Sequence, residues 1–218
     1  MRKEPFITGL YYHVYNRGVD KRDIFSSLND LRRFVLSIKK FNSIEPVGSL
    51  HEALLYKNRN LGVQPPNLAK RLVSIVCYCL NPNHFHFILK QEVDGGISEF
   101  IKRLSGGYTT YFNISHDRSG ALFQGRFKSC RINSDEYFLK IFPYVNVNYL
   151  VHDIPDSKKH LISASDKEYN NMNFDLVSKN EAQNLLEFYG GLEEFKKECM
   201  VVVDFTREER GKNKLLLE

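Results

Sequence analysis

Asn81-Pro82-Asn83-His84-Phe85-His86-Phe87-Ile88-Leu89 is the stretch whose reading decides the fold. Two histidines stand one residue apart at the head of an apolar run, and on a strand both imidazoles face the same way. The preceding residues, Leu72-Val73-Ser74-Ile75-Val76-Cys77-Tyr78-Cys79-Leu80, are equally rich in strand formers. Asn-Pro-Asn therefore reads as a tight turn joining two neighbouring strands. Two parallel imidazoles on a rigid strand supply two ligands to one divalent cation, because neutral imidazole is a ready ligand. Further ligands must come from elsewhere in the chain.

Upstream, Leu10-Tyr11-Tyr12-His13-Val14-Tyr15-Asn16 alternates aromatic and polar residues and stops at Arg17-Gly18, a first strand running into a loop. His13 reads as a structural histidine of that strand. From Leu28 to Ile44, Leu31, Phe34, Val35, Ile38 and Phe41 recur at helical spacing, with Asn29 or Asp30 as N-cap and Pro46 beyond the end. Val47 to Asn67 loses periodicity and reads as a surface excursion.

Downstream, Asp94-Gly95-Gly96 closes the β pattern, and Ile97, Phe100, Ile101, Leu104, Tyr108, Tyr111 and Phe112 form the apolar face of a second helix with Lys102 and Arg103 on its other side. The Gly106-Gly107 pair inside it permits the close approach of another backbone or bends the helix. Alternation from Gln124 to Ile132 predicts a strand with a basic face of Arg126 and Lys128. A third helix starts at Ser134, which caps it, and runs to about Val151 with Pro143 as a kink or break. A last helical pattern spans Glu181 to Cys199. The expected division is a catalytic unit over 1–155 and an appended helical region over 156–218.

Composition bounds the function more loosely. The 218 residues carry a formal charge of +5 and a pI near 8.9, compatible with a polyanionic partner. No stretch approaches the apolar length of a membrane span, and the N-terminus lacks the apolar core of a secretory signal, so the expected location is the cytoplasm. Four cysteines, Cys77, Cys79, Cys130 and Cys199, are too few for a disulfide framework in a chain this long. Cys77 and Cys79 near the histidine pair also admit a structural zinc module.

The third helix carries the remaining chemistry. Tyr144, Asn148 and His152 are each four apart, so a helix projects them from one face. Over the histidine strand, Asn148 completes a metal site and Tyr144 presents its phenol to a phosphate, an arrangement suited to phosphoryl transfer. Tyr137 and Tyr149 are alternative tyrosines on the same stretch. Arg126, Lys128, Arg131, Lys102 and Arg103, interleaved with Phe123, Tyr108 and Tyr111, are the candidates for holding a phosphate backbone and stacking bases.

These motifs carry a resemblance. Tyr78 to Phe87, Gly107 to Asn113, Gly120 to Lys128 and Asp135 to Leu139, with His13-Val14-Tyr15-Asn16-Arg17-Gly18 before them, resemble the single-tyrosine HUH transposases, and among those the REP-associated tyrosine transposases. The resemblance covers about Gly9 to Val151. It implies an α+β, ferredoxin-like antiparallel sheet flanked by helices. It implies cleavage and rejoining of single-stranded DNA near a hairpin through a 5′-phosphotyrosine, dependent on Mg2+ or Mn2+. Position by position, it implies His84 and His86 as the metal-binding pair, Asn148 as the polar ligand, Tyr144 as the nucleophile, and a monomer as the working state. The chain has Asn148-Tyr149 where the family commonly has Asn-Pro, and Pro143 before the tyrosine. Those departures are the sequence basis for the alternative, a hairpin-binding protein that no longer cleaves.

Overall fold

Period-two patterning yields a five-stranded sheet in which every neighbouring pair is antiparallel, in the order β4-β1-β3-β2-β5. Its strands are β1 (Tyr11–Arg17), β2 (Val73–Asn81), β3 (His84–Gln91), β4 (Lys128–Arg131) and the two-residue β5 (Ser163–Ala164). The computed structural model describes residues 5–45 and 70–215, with side chains to residue 210 in the last helix. The excursion expected between Val47 and Asn67 lies outside the described residues.

Helix α1 (Leu28–Phe41) joins β1 to β2, and α2 (Gly96–Ser115) joins β3 to β4. With order 4-1-3-2 for the first four strands, this is the expected ferredoxin-like α+β topology. Among the described residues the other α-helices are α3 (Asp135–Asn146), α4 (Asp166–Asn171), α5 (Lys179–Tyr189) and α6 (Leu192–Leu215).

Pro82 and Asn83 turn β2 into β3, as the Asn-Pro-Asn signal requires. The alternation along β3 then divides the chemistry. Phe85 and Phe87 point to the side of α1 and α2, where Phe85 meets Phe34 and Phe87 meets Phe100. His84 and His86 face the other side, where α3 lies. A single buried cluster runs from Phe6 to Val203, so the residues after 155 share the core of those before it.

Several local expectations change. Ser27 caps α1, its hydroxyl accepting from the Asp30 N–H, in place of Asn29 or Asp30. The buried Asp30 carboxylate instead accepts from the Ser26 N–H and lies within reach of His116. The expected strand from Gln124 starts only at Lys128, because Gly125 takes a positive φ of 67° that breaks extended backbone. The pattern from Glu181 to Cys199 is two helices, parted at Gly190 and Gly191, both with positive φ.

The third helix ends at Asn146 and not near Val151; a 3-10 turn, Asn148–Val151, follows. The reason is tertiary. The Asn146 amide is held in the core by Ser165 and Cys199, and Val147 leaves the helical region at φ −123°, ψ 26°. Pro143 does not end the helix. A proline cannot donate to the carbonyl four residues back. The Tyr189 hydroxyl on α5 donates to that carbonyl, Leu139 O, at 3.0 Å and reaches Phe138 O at 3.3 Å.

The glycine pair in α2 divides its roles. A Cβ on Gly107 would sit 2.8 Å from the Phe41 ring, whereas one on Gly106 would meet nothing within 4 Å. Gly107→Ala is therefore expected to lower the unfolding free energy by about 1–3 kcal/mol through overpacking. Gly106→Ala should raise it by up to about 1 kcal/mol through helix propensity. Denaturant titration of the two variants checks the opposite signs.

Candidate active site

His84 is held on both ring nitrogens. Its Nδ1 is 2.6 Å from Asn83 Oδ1, an acceptor, so the ring's proton sits on Nδ1 and its Nε2 carries a lone pair. The Asn81 amide, at 2.9 Å, donates to that Nε2 and also, at 2.9 Å, to Asn148 Oδ1. Asn148 Oδ1 lies 3.2 Å from His84 Nε2. Two acceptors thus converge on one donor. Ligand atoms around a small divalent cation have about the same separation, roughly 3 Å, when adjacent.

His86 is almost fully buried beside it, the two rings 5.2 Å apart and nearly perpendicular. Its Nδ1 is 2.8 Å from Nε2 of His13 on β1. The register explains the meeting. Tyr15 is opposite His86 and His13 opposite Ile88, so His13 and His86 are diagonal neighbours on one face. His13, Tyr15 and His86 stack, with ring planes 12° to 23° apart.

Burial is the largest influence on all four histidines here. It lowers His13 to about 4, lowers His84, and carries His86 well below the ordinary range, with the other nearby histidines and Arg210 adding repulsion at His86. His152 falls to about 3, again chiefly by burial. The rings are therefore neutral near pH 7, the form in which imidazole binds a cation.

Tyr144, from α3, meets the His86 ring edge to face at 5.9 Å, and both line one cleft of about 740 Å³ together with His84. Asn148 and His152 reach the site from the turn after the helix, not from a common helical face. The His152 ring lies 4.6 Å from that of His84. Helix α6 fixes this segment. Arg207 Nε donates to Leu150 O at 2.9 Å, and Arg210 donates to Val151 O at 2.9 Å and to His152 Nδ1 at 3.2 Å. Because a guanidinium only donates, the His152 proton sits on Nε2. That Nε2 and Asn148 Nδ2 are buried without a hydrogen-bond partner among the described residues.

Of the basic residues singled out in the sequence, Lys128 lines the cleft and also an adjoining one of about 1090 Å³, which Lys102 and Arg126 line with it. Arg103 is committed elsewhere, to Glu99 and the Ser43 and Glu45 carbonyls. Arg131 is exposed on β4, outside both clefts. Lys21, Lys158 and Arg210, which no local motif marks, line the first cleft together with Arg17 of the first strand. Lys158 is paired there with Asp23.

Cys77 and Cys79 are fully buried, and burial pushes both thiols up; Cys77 reaches Tyr169. Among the described residues no group of three or more His, Cys, Asp or Glu is placed to hold a metal ion. A cation at His84 and His86 would draw on the Asn148 amide and on substrate oxygens. A neutral nitrogen pair with an amide oxygen and substrate oxygens suits a divalent ion that accepts both nitrogen and oxygen ligands, Mn2+ more readily than Mg2+.

Residues 66–148 match the family model described as Transposase IS200 like. The chain is similar to the IS200-like transposases. The match covers β2, the histidine strand, α2 and α3, and ends at Asn148. A solved structure described as a REP-associated tyrosine transposase bound to a REP hairpin aligns with 82% of this chain and 90% of its own, at 13% identity and a TM-score of 0.50. At that identity the likeness speaks for the fold. No curated protein matches the chain. Among the described residues no helix is long and apolar enough to cross a membrane.

The buried histidines give stability a pH dependence. His13 has a folded value of about 4 against an ordinary 6.5. Between these the unfolded chain holds a proton that the folded chain lacks, so stability falls as pH drops from about 6.5 to about 4. The slope per histidine is up to about 1.4 kcal/mol per pH unit. Unfolding titrations across this range should show it, and His13→Gln should make it shallower.

Proposed function

We propose that this protein is a transposase that cleaves and rejoins single-stranded DNA beside a hairpin, forming a 5′-phosphotyrosine at Tyr144 and working as a monomer. His84, His86 and Asn148 would hold a divalent cation, Mg2+ or Mn2+. The observation that carries the reading is the convergence of Tyr144, His84 and His86 on one basic cleft, with Asn148 Oδ1 3.2 Å from His84 Nε2. The match of residues 66–148 to the IS200-like transposases and the hairpin DNA of the solved relative support it.

When bound, the cation neutralises charge on the scissile phosphate and orients it for in-line attack. The chain's residues account for the rest. The Tyr144 Oη attacks phosphorus and loses its proton, the phosphorus bond to the 3′-oxygen breaks, and that oxygen leaves as a 3′-hydroxyl on taking up a proton. The downstream strand stays on Tyr144 through its 5′ phosphate. Attack by a 3′-hydroxyl reverses the step, so resealing needs no ATP. Lys128, Arg17, Lys21 and Arg210 along the cleft offer phosphate contacts, and Tyr15 offers a ring for stacking.

The departures from the family pattern do not favour loss of cleavage. Pro143 lies inside an intact α3, and the Tyr149 hydroxyl bonds Asp166 outside this cleft. A labelled single-stranded hairpin oligonucleotide with Mg2+ or Mn2+ provides the test. A covalent protein–DNA adduct should form, disappear with chelator, and drop by at least about 10³-fold in Tyr144→Phe. Undiminished adduct in Tyr144→Phe rejects the nucleophile; tight hairpin binding with no adduct under either metal favours the binding-only alternative.

A further inference from the structure

We infer that His13 is a positioning residue for His86, holding the proton of that ring on Nδ1 so that its Nε2 lone pair is free to bind a cation. The inference rests on the metal reading proposed above. It starts from two buried rings that share a short contact, His13 Nε2 to His86 Nδ1 at 2.8 Å. Two neutral imidazoles have one proton between those nitrogens, and the chain of bonds has two polarities.

In the first polarity His86 Nδ1–H donates to His13 Nε2. His86 Nε2 then bears a lone pair, and the His13 proton sits on Nδ1, facing the Tyr137 hydroxyl at 3.5 Å. In the second, His13 Nε2–H donates to His86, the His86 proton moves to Nε2, and that nitrogen cannot bind a cation. Tyr137 accommodates either, because a hydroxyl both donates and accepts. His84 has no such freedom, since its Nδ1 faces the acceptor Asn83 Oδ1. The histidine pair is therefore asymmetric. His84 is locked by its sequence neighbour, whereas the His86 tautomer is coupled to that of a residue 73 positions earlier.

His13 is not itself placed as a ligand. Its Nε2 is taken by His86, its Nδ1 faces Tyr137, and it does not line the cleft. The ordinary partner of a ligating imidazole is a carboxylate, carbonyl or water. A second imidazole in that place differs in that its own tautomer must change in step.

The experiment uses the full chain labelled with 15N-histidine, without DNA. Long-range 1H–15N spectra report which nitrogen of His86 carries the proton, and the free-ion electron paramagnetic resonance signal reports Mn2+ binding. His13→Phe removes the acceptor; it should move the His86 proton to Nε2 and weaken Mn2+ binding about 10–100-fold. His13→Gln places an amide oxygen near the reach of Nε2 and should restore both. Should His13→Phe not fold, His13→Asn, whose shorter amide does not reach His86, replaces it with the same expectations. A folded Phe or Asn variant with the wild-type His86 tautomer and Mn2+ affinity overturns the inference. If the wild-type protein binds no Mn2+, the metal reading fails on its own, and an unchanged His86 tautomer in the variant still decides against His13.

Discussion

The antiparallel register of β1 against β3 is the constraint on which the site depends. With Tyr15 opposite His86 and Arg17 opposite His84, the same face of both strands presents His13, Tyr15, Arg17, His84 and His86. The opposite face of β3 presents Phe85 and Phe87, both fully buried. A slip of one residue would exchange these sets, putting imidazoles into the aromatic layer under α1 and α2. Burial of those phenylalanines, each contributing roughly 1.5–3 kcal/mol, therefore fixes the register and with it the histidine pair. Core packing and site assembly are one event here, because alternate side chains of one strand carry both.

How far the sequence reached follows from which interactions are local. The His84–His86 pair, its turn and the two amphipathic helices of the first half come from short-period patterns, and the β4-β1-β3-β2 arrangement matches them. The meeting of Tyr144 and Asn148 with the histidine strand was legible too, though through the wrong geometry. Helical spacing placed Asn148 one turn after Tyr144 on a continuous helix, whereas Asn146 anchoring in the core ends that helix and a tighter turn delivers Asn148. The roles that local patterns do not show are made at long range. His13 reaches His86 only through strand pairing, and Arg17 and Arg210 become cleft cations only once the chain has folded. Arg103 shows the converse, a basic residue on the expected face whose guanidinium is absorbed by backbone carbonyls.

The electrostatics of the cleft combine two opposed requirements. Cations around the rim attract a phosphate backbone, yet the same cations, Arg210 and Arg17 among them, disfavour protonation of His84. The result is a basic cleft whose histidines stay uncharged, so positive charge at the centre is left to whatever binds the lone pairs. Asn81 holds that centre by bridging His84 and Asn148 with one amide. It is a neutral, fully buried donor, and its Oδ1 is itself in reach of the Cys79 thiol.

Helix α6 gives the chain a temporal order. Arg207 and Arg210 cap the carbonyls of Leu150 and Val151, in the segment that leads from Asn148 to His152. On a ribosome, the histidine strand and Tyr144 emerge well before residue 210 does. Until then the turn bearing Asn148 has unsatisfied carbonyls at its end and one wall of the cleft is missing. Assembly of the cleft thus waits for the last turns of α6, and a chain stopped short of Arg207 would lack the contacts that hold the segment from Asn148 to His152.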